Sequence, residues 1–282
     1  MTYDMITAVG DAGPTSATAT LANYWHPVAA SADIGDQPQR RTLLGNDLVL
    51  FRHDGAVSVF DDVCIHRGTA LSLGWITEGR LTCPYHGWEY DHTGACVHIP
   101  ALPEGSPIPR KARATVRRCE EAYGLVWVAL EDPVAPVPVF PNGEWDDPDY
   151  YGFQSHHYVW RTSAGRSVEN FMDFSHFPFV HDGILGSRDR TLVEPHQIIQ
   201  TDYGFKYSFQ QAEPGALHSR EDELVTWEYY LYRPFTIHLK KITPDGKATV
   251  ISMVASPTQE DRTNMWLWLV RNYDKDASMN QS

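Results

Sequence analysis

The sequence predicts an α+β protein of two domains, an all-β domain followed by an antiparallel sheet with helices on one face. Three observations carry this prediction. Short β-type runs and Gly-containing turns dominate the first half, a proline-spaced segment lies near the middle, and longer strand-like runs follow one short helical stretch. A chain of 282 residues with 42% hydrophobic residues is long enough to fill two cores.

Composition sets the predicted domain boundaries. Residues 1–21 are rich in Thr, Ala and Gly without periodicity, and we expect them to form a loose tail. Residues 22–132 are predicted to form the all-β domain. Four prolines break regular structure between residues 133 and 141, so 133–141 is predicted to be a semi-extended linker. Residues 142–282 make up the second predicted domain.

Short strands and tight turns define the first domain. Residues 48–51 and 56–60 are β-type runs separated by Asp54-Gly55, a dipeptide typical of a two-residue hairpin. Residues 124–130 are apolar throughout, which predicts a strand that is buried on both faces.

The second domain begins with a short helical stretch near residues 165–177 and continues with strands. Asp245-Gly246 indicates a hairpin between two of these strands. The predicted strands are 205–210, 226–232, 235–241, 249–255 and 265–271. Together they predict an antiparallel sheet with the helix packed against it.

The charge of the chain excludes two classes of partner. The net charge is −13 and no block of consecutive Lys or Arg occurs, which argues against nucleic acid and against an anionic membrane.

No apolar run approaches the roughly eighteen residues that span a bilayer. No Lys or Arg precedes Arg40, so the N-terminus lacks the features of a signal or transit peptide. We therefore expect a cytoplasmic protein.

Two short turns each offer one thiolate and one imidazole. They are Cys64-x-His66 and Cys83-x-x-His86, separated by the sixteen residues 67–82. Two cysteines and two histidines suit either zinc or a [2Fe–2S] cluster. A zinc finger usually has its cysteines in one knuckle and its histidines on a helix, whereas here each turn carries one of each. This layout favours a cluster in which two cysteines hold one iron and two histidines hold the other.

The other two cysteines, Cys96 and Cys119, have no ligand spacing. A disulfide between them is the alternative, but a reducing cytosol favours buried free thiols.

A second group of metal-binding residues lies at the predicted helix. Asp173 and His176 are three residues apart and share one face of a helix. Pro178 is expected to end that helix, so that His181 can turn back toward His176. Two imidazoles and a carboxylate on one side of an iron leave open positions for dioxygen and substrate.

Taken together, the two motifs resemble the Rieske non-heme iron oxygenases. The resemblance rests on His66-Arg67-Gly68, on Cys83-Pro84-Tyr85-His86-Gly87-Trp88 and on Asn170-x-x-Asp173-x-x-His176-x4-His181, and it covers about residues 20–275. It implies a Rieske domain followed by a START-like helix-grip catalytic domain. It also implies a [2Fe–2S] cluster, a mononuclear Fe(II) and O2 as co-substrate.

The same resemblance implies roles for individual residues. Cys64, His66, Cys83 and His86 would hold the cluster, and His176 and His181 would bind the mononuclear iron. Asp173 would connect this iron site to His86 of a neighbouring subunit, and Asn170 would support Asp173. The third iron ligand of the family, an Asp or Glu on a helix after the last strand, is expected beyond Ser282.

The implied activity is that of the oxygenase component of a multicomponent system. The chain has no G-x-G-x-x-G and no P-loop, so electrons from NAD(P)H are expected through a separate reductase or ferredoxin. The chain resembles the vanillate demethylase and ketosteroid hydroxylase branch more than the ring-dihydroxylating dioxygenases. This implies a homotrimer that hydroxylates or oxidatively demethylates a small aromatic, heterocyclic or polycyclic substrate. A ring-dihydroxylating dioxygenase, a Rieske electron carrier and a binding protein without oxygenase activity are the alternatives.

Overall fold

A computed structural model describes residues 20–155, 157–193, 195–213 and 223–274. Nearly all of the predicted tail 1–21 lies outside these residues. The described residues divide into two compact units: the first contains 20–137 together with 256–262, and the second contains those of 138–255 and 263–274. Among the described residues, no helix is long and apolar enough to cross a membrane.

The first unit is all-β, as predicted. Its antiparallel strands form three small sheets in the orders β1-β10-β9, β2-β3-β4 and β5-β6-β7-β8. The strands are β1 His26–Ala30, β2 Gln39–Leu43, β3 Asn46–His53, β4 Ala56–Asp61, β5 Trp75–Thr77, β6 Arg80–Thr82, β7 Glu89–Tyr90, β8 Cys96–His98, β9 Arg118–Ala122 and β10 Leu125–Ala129.

Two predictions for this unit are confirmed. Asp54 and Gly55 join β3 to β4 with positive φ angles of 50° and 80°, the backbone pattern of a type I′ turn. Every residue of β10 is buried, so this strand is covered on both faces.

The second unit contains one large antiparallel sheet and two helices. The strand order is β11-β18-β17-β16-β15-β14-β13, and β12 also pairs with β18. The elements are β11 Tyr151–Gln154, β12 Tyr158–Trp160, α1 Ala164–Met172, α2 Phe177–Val180, β13 Ile199–Thr201, β14 Gly204–Ala212, β15 Leu224–Tyr232, β16 Thr236–Ile242, β17 Ala248–Gln259 and β18 Arg262–Arg271. Asp245-Gly246 lies in the turn between β16 and β17, as predicted.

The helices pack on one face of this sheet, which we call the inner face. Alternate residues of β15 are buried, and Val225, Trp227 and Tyr229 belong to the same hydrophobic cluster as Ala164 and Phe177 of the two helices. Because side chains alternate along a strand, these residues all point toward the helices. The predicted α+β fold is confirmed.

The predicted helix 165–177 is wrong in one respect, because it is broken at Asp173. Helix α1 ends there with an extended backbone, φ −77° and ψ 121°. The Asp173 carboxylate accepts a hydrogen bond from the backbone N–H of Ser175, and such a local bond competes with helix continuation. Pro178 does not end a helix; it lies in the first turn of α2, where its missing N–H has no intrahelical partner to lose.

Candidate metal centres

The two cysteine-histidine loops of the first unit close in the same way. The N–H of Cys64 donates to the carbonyl of Thr69 at 2.8 Å, and the N–H of Gly68 donates back to the carbonyl of Cys64 at 2.8 Å. Cys83 and Gly87 repeat both bonds, with distances of 2.9 and 3.0 Å. Gly68 and Gly87 have φ values of +75° and +68°, a region that suits glycine. Each loop therefore fixes its cysteine by the backbone alone.

The four predicted cluster ligands come together at these loops. Cys64 and Cys83 are buried, at 2% and 1% exposure. The rings of His66 and His86 lie 4.6 Å apart between centroids. The Nδ1 atom of His66 is buried and has no hydrogen-bond partner within the described residues. Burial of a ring nitrogen without a partner is uncommon in proteins and fits a nitrogen that binds a metal.

The surroundings of the thiols fit the same group. Burial, and to a smaller extent the adjacent Cys64 thiol, raises the pKa of Cys83. A thiolate in this place therefore needs a nearby cation such as iron. Tyr90 is fully buried and its hydroxyl oxygen lies 3.1 Å from the Cys64 sulfur. Burial raises the pKa of Tyr90, so its hydroxyl stays protonated and can donate to a Cys64 thiolate.

The two histidine rings differ in their exposure. The indole of Trp88 stacks on His66 with a centroid distance of 4.5 Å and an interplanar angle of 6°. His86 is exposed, and its neighbour Tyr85, itself 63% exposed, lies beside it at 3.9 Å between centroids. The His86 side of this centre therefore faces the surface of the unit.

The remaining cysteines are free thiols, as expected. The Cys96 sulfur donates to the carbonyl of His98 at 3.6 Å, and that of Cys119 donates to the carbonyl of Val57 at 3.3 Å. Burial raises the pKa of each thiol to about 11, so both are protonated and unreactive at neutral pH.

Asp173 and His176 meet in the second unit although they do not share a helix. The Oδ2 atom of Asp173 lies 3.1 Å from Nδ1 of His176. Its Oδ1 atom accepts the backbone N–H of Ser175 at 2.8 Å and also the Ser175 hydroxyl. Partial burial opposes ionisation of Asp173, but the hydrogen bonds from Ser175 and His176 outweigh it and lower the pKa. The carboxylate is thus held as an anion against one edge of the imidazole.

His181 lies close to His176 because the four-residue helix α2 connects them. The His176 and His181 rings are 5.3 Å apart between centroids, and the Phe177 ring lies 4.8 Å from the first and 5.9 Å from the second. Asn170 is exposed on α1 and makes no side-chain hydrogen bond within the described part of the chain. No hydrogen bond joins Asn170 to Asp173 among the described residues, and the supporting role of Asn170 stays a prediction.

No group of three or more His, Cys, Asp or Glu side chains converges on a single ion within the described residues. Neither expected centre requires such a group among the described residues. Each iron of a Rieske cluster takes only two protein ligands, and the remaining contacts are the bridging sulfides. The resemblance implies that the histidine pair would supply two of three iron ligands, with the third expected outside the described residues. The residues present therefore fit both metal groups.

Two residues of these centres were not singled out by the sequence. Ser175 could have been found from the Asp-x-Ser pattern, which is typical of a turn in which the carboxylate bonds its own backbone. Tyr90 carries no such signal, because its distance from Cys64 along the chain is set by three short strands and not by a local motif.

Comparison with known proteins identifies the family of this chain. The Rieske [2Fe-2S] domain family matches residues 24–126, and the Vanillate O-demethylase oxygenase C-terminal domain family matches residues 160–282. Methylxanthine N3-demethylase NdmB of Pseudomonas putida is 33% identical over 90% of this chain and 74% of its own length. Methylxanthine N1-demethylase NdmA of the same organism is 32% identical over 91% of this chain and 75% of its own length.

Solved structures show the same relationship. The structure of Pseudomonas putida CBB5 NdmA with caffeine has a TM-score of 0.82 and 30% identity, covering 92% of this chain and 77% of that one. Dicamba monooxygenase bound to dicamba, at 23% identity and a TM-score of 0.79, shares the fold.

The fold and the two centres define a Rieske-type non-heme iron oxygenase. This chain belongs to the Rieske oxygenase alpha subunits with a vanillate demethylase-type C-terminal domain. Proteins of this family carry a [2Fe–2S] cluster and a mononuclear iron, use O2 and receive electrons from a partner protein. The predicted family, enzyme class and cofactors are confirmed, and the zinc alternative is not supported.

Proposed function

We propose that this chain is the oxygenase component of a multicomponent monooxygenase that oxidatively demethylates a small aromatic or heterocyclic compound. The observation that carries the proposal is that two N-demethylases match at least 90% of the chain. The balanced reaction takes an N-methyl compound, O2, NADH and a proton to the demethylated amine, formaldehyde, water and NAD+. The same centres would serve hydroxylation, which differs only in the fate of the oxidised carbon.

The proposed cluster ligands are the four residues of the two loops. Cys64 and Cys83 would hold one iron and His66 and His86 the other. The matching closure of the two loops, the buried thiols and the unpartnered Nδ1 of His66 support this assignment. The cluster supplies one electron at a time. The loops keep its ligands fixed, which limits the rearrangement that accompanies a change of charge.

The proposed iron ligands in the second unit are His176 and His181, with a third carboxylate from outside the described residues. The iron, when bound, supplies dioxygen activation beside the substrate. Asp173 orients the His176 ring: with Nδ1 donating to the carboxylate, Nε2 is left free to bind metal. Ser175 in turn holds the other carboxylate oxygen, so the orientation of Asp173 is itself fixed.

We also propose a head-to-tail homotrimer, in which the cluster of one copy serves the iron of the next. Exposed apolar side chains lie beside each centre, and such patches are typical of protein interfaces. In the first unit, Ile65 and Tyr85 lie within the cluster loops, and Leu73 and Trp75 lie in the segment that connects the two loops. Beside the histidine pair of the second unit they are Phe179, Val180 and Ile184. A closed ring pairs the first patch of one copy with the second patch of the next.

Within this assembly Asp173 would link His176 of one copy to His86 of the next. The Asp173 side chain is 44% exposed and His86 is exposed, so both have surface available for such a contact. Electrons would arrive from NAD(P)H through a separate reductase or ferredoxin, and a cytoplasmic location stays a prediction. Sedimentation as an active trimer is the expected result, and a monomer as the only active species would contradict the assembly.

Formaldehyde release tests the proposed reaction. The holoprotein is supplied with NADH, a surrogate reductase and a panel of N-methyl and O-methyl aromatics that includes caffeine. We expect one formaldehyde per NADH and per O2 with at least one compound. His176→Ala should abolish formaldehyde release and leave the cluster spectrum unchanged, whereas the exposed His157→Ala should retain activity. Full activity in His176→Ala would overturn the iron assignment.

A further inference from the structure

Two adjacent buried hydrogen-bond donors on the inner face of the large sheet have no partner. Trp227 and Tyr229 are alternate residues of β15, and both side chains are fully buried. The Nε1 atom of Trp227 and the Oη atom of Tyr229 make no hydrogen bond within the described part of the chain. Buried donors are nearly always paired in folded proteins, so two unpaired donors on one face need an explanation.

The packing of this face does not by itself prevent hydrogen bonding. Tyr207 lies opposite Tyr229 on β14, and the two rings stack at 4.9 Å between centroids with an angle of 13°. The Tyr207 hydroxyl donates to the carbonyl of Met172 at 3.3 Å. Among the other unpaired buried atoms in the described part of this unit, Nε2 of His238 and Nε1 of Trp266 belong to residues on the opposite face of the sheet.

Trp227 and Tyr229 lie on the face that the candidate iron ligands cover. The Phe177 ring, which touches both histidines, is 5.3 Å from the Trp227 ring between centroids. A cavity of about 1090 Å³ begins on the same side, and Phe174 and Phe209 line it. Phe209 stacks on Trp227 at 5.8 Å between centroids, so a single aromatic layer separates the cavity from the Trp227 indole.

The charges on this face disfavour an anionic ligand. Along the inner face of β14 to β17, Lys241 is the only charged side chain among the described residues. Its ammonium lies 2.9 Å from a Glu213 carboxylate oxygen and 5.0 Å from the centroid of the Trp227 ring. A ligand carboxylate would therefore meet a cation that is already neutralised, and it would lie near the carboxylates of Glu213 and Asp173.

We propose that Trp227 and Tyr229 determine substrate specificity by donating hydrogen bonds to a neutral, planar aromatic or heteroaromatic ring with carbonyl or ring-nitrogen acceptors. This inference rests on the proposed function and names its substrate class. The ligand enters from the cavity as the half-buried Phe209 ring turns aside, and it stacks among the aromatic side chains of the inner face. Aryl carboxylates are disfavoured because Lys241, the cation that the structure describes on the inner face of β14 to β17, is already paired with Glu213.

Binding of neutral and anionic probes to the oxygen-free holoprotein tests the proposal without turnover. The neutral probes are caffeine and methyl 4-methoxybenzoate, and the anionic probe is 4-methoxybenzoate. By calorimetry, both neutral probes should bind more tightly than the anion. Tyr229→Phe should weaken caffeine binding by about tenfold, the usual effect of one lost hydrogen bond. Tyr207→Phe, whose hydroxyl already has a backbone partner, should change it by less than about twofold.

Thermal unfolding of the ligand-free protein supplies the second readout. Removing an unpaired buried hydroxyl should raise the melting temperature of Tyr229→Phe by about 2–4 °C, whereas Tyr207→Phe should lower it. Unchanged caffeine affinity in Tyr229→Phe, a lower melting temperature for that variant, tighter binding of the anion, or no binding of either neutral probe would each overturn the proposal. Formaldehyde release from an aryl carboxylate would overturn it as well and leave the proposed demethylation standing.

Discussion

The two candidate metal centres differ in how far the backbone fixes their geometry. Both cluster loops close through their own backbone hydrogen bonds, and Cys64 and Cys83 are almost fully buried. His176 and His181 instead flank a four-residue helix, beside Phe179, which is 58% exposed. In the proposed assignment the cluster loops contain all four protein ligands of their centre, whereas the histidine pair would need one more ligand from elsewhere.

This difference fits the functions proposed for the two centres, electron transfer at the cluster and dioxygen activation at the histidine pair. An electron-transfer centre gains from fixed ligands, because little has to move when its charge changes. A centre that admits O2 and substrate needs open positions and side chains that can be positioned by their neighbours. At the cluster loops, backbone hydrogen bonds fix the ligand geometry. At the histidine pair, side-chain hydrogen bonds of the Asp173 carboxylate and the Ser175 hydroxyl have this role.

The largest expected effect comes from breaking the side-chain support at the histidine pair. Asp173→Asn keeps the shape of the residue but removes the charge that orients His176, and we expect turnover to fall by about 10- to 100-fold. The cluster spectrum should be unchanged. The matched control is Glu169→Gln, which should retain activity. Glu169 is an exposed carboxylate on α1 that pairs with Arg166. Normal turnover in Asp173→Asn would mean that Asp173 is an ordinary surface carboxylate.

The next largest effect is expected from substitutions of the two glycines that close the cluster loops. An Ala at Gly87 would meet a positive φ of +68° and place its Cβ 3.0 Å from Cγ of Pro100. An Ala at Gly68 would meet a φ of +75° with no atom within 4 Å. We expect both to destabilise the first unit by about 1 kcal/mol or more, with Gly87→Ala the worse of the two.

Thermal unfolding followed by the visible absorbance of the cluster measures this difference. The second unit should keep its own unfolding transition in both variants. Equal stability of Gly68→Ala and wild type would show that the positive φ angle is not a constraint on the first loop.

The smallest expected effect concerns Tyr90. A hydrogen bond to a cluster sulfur stabilises the more negative reduced state, so Tyr90→Phe should lower the reduction potential. A bond worth about 1 kcal/mol corresponds to about 40 mV for one electron. Tyr85→Phe, which alters an exposed ring beside His86, is the control and should shift the potential much less. Spectroelectrochemical titration showing no shift or an upward shift for Tyr90→Phe would contradict this role.

Much of the fold could be predicted because its strands alternate strongly. From Val225 to Tyr232 of β15, buried and half-buried residues alternate. The far end of β17 was missed: the prediction stopped at residue 255, while the strand runs to Gln259 through Ser256 and Pro257. A polar stretch that contains proline has little strand propensity, and its pairing is imposed by tertiary structure.

The sites show the same division between local and non-local information. The four cluster ligands could be proposed from the sequence because all four residues lie in two short loops of fixed spacing. The break of the helix at Asp173 was missed because the prediction used only the helical spacing of Asp173 and His176. The Asp-x-Ser pattern signals the competing side-chain bond to Ser175, but the pattern alone does not decide whether this bond or helix continuation prevails. The unpaired donors of Trp227 and Tyr229 could not be predicted from the sequence either, because a strand with an apolar face contains such residues in any case.

The most direct test of the account is the iron content of three proteins: wild type, Cys83→Ser and His176→Ala. The account predicts about three irons per wild-type chain, two in the cluster and one at the histidine pair. Cys83→Ser should lose the cluster and its visible absorbance but keep about one iron. His176→Ala should keep about two irons with an unchanged cluster spectrum. Stoichiometric zinc in the wild type, or the same iron content in His176→Ala as in wild type, would contradict the account.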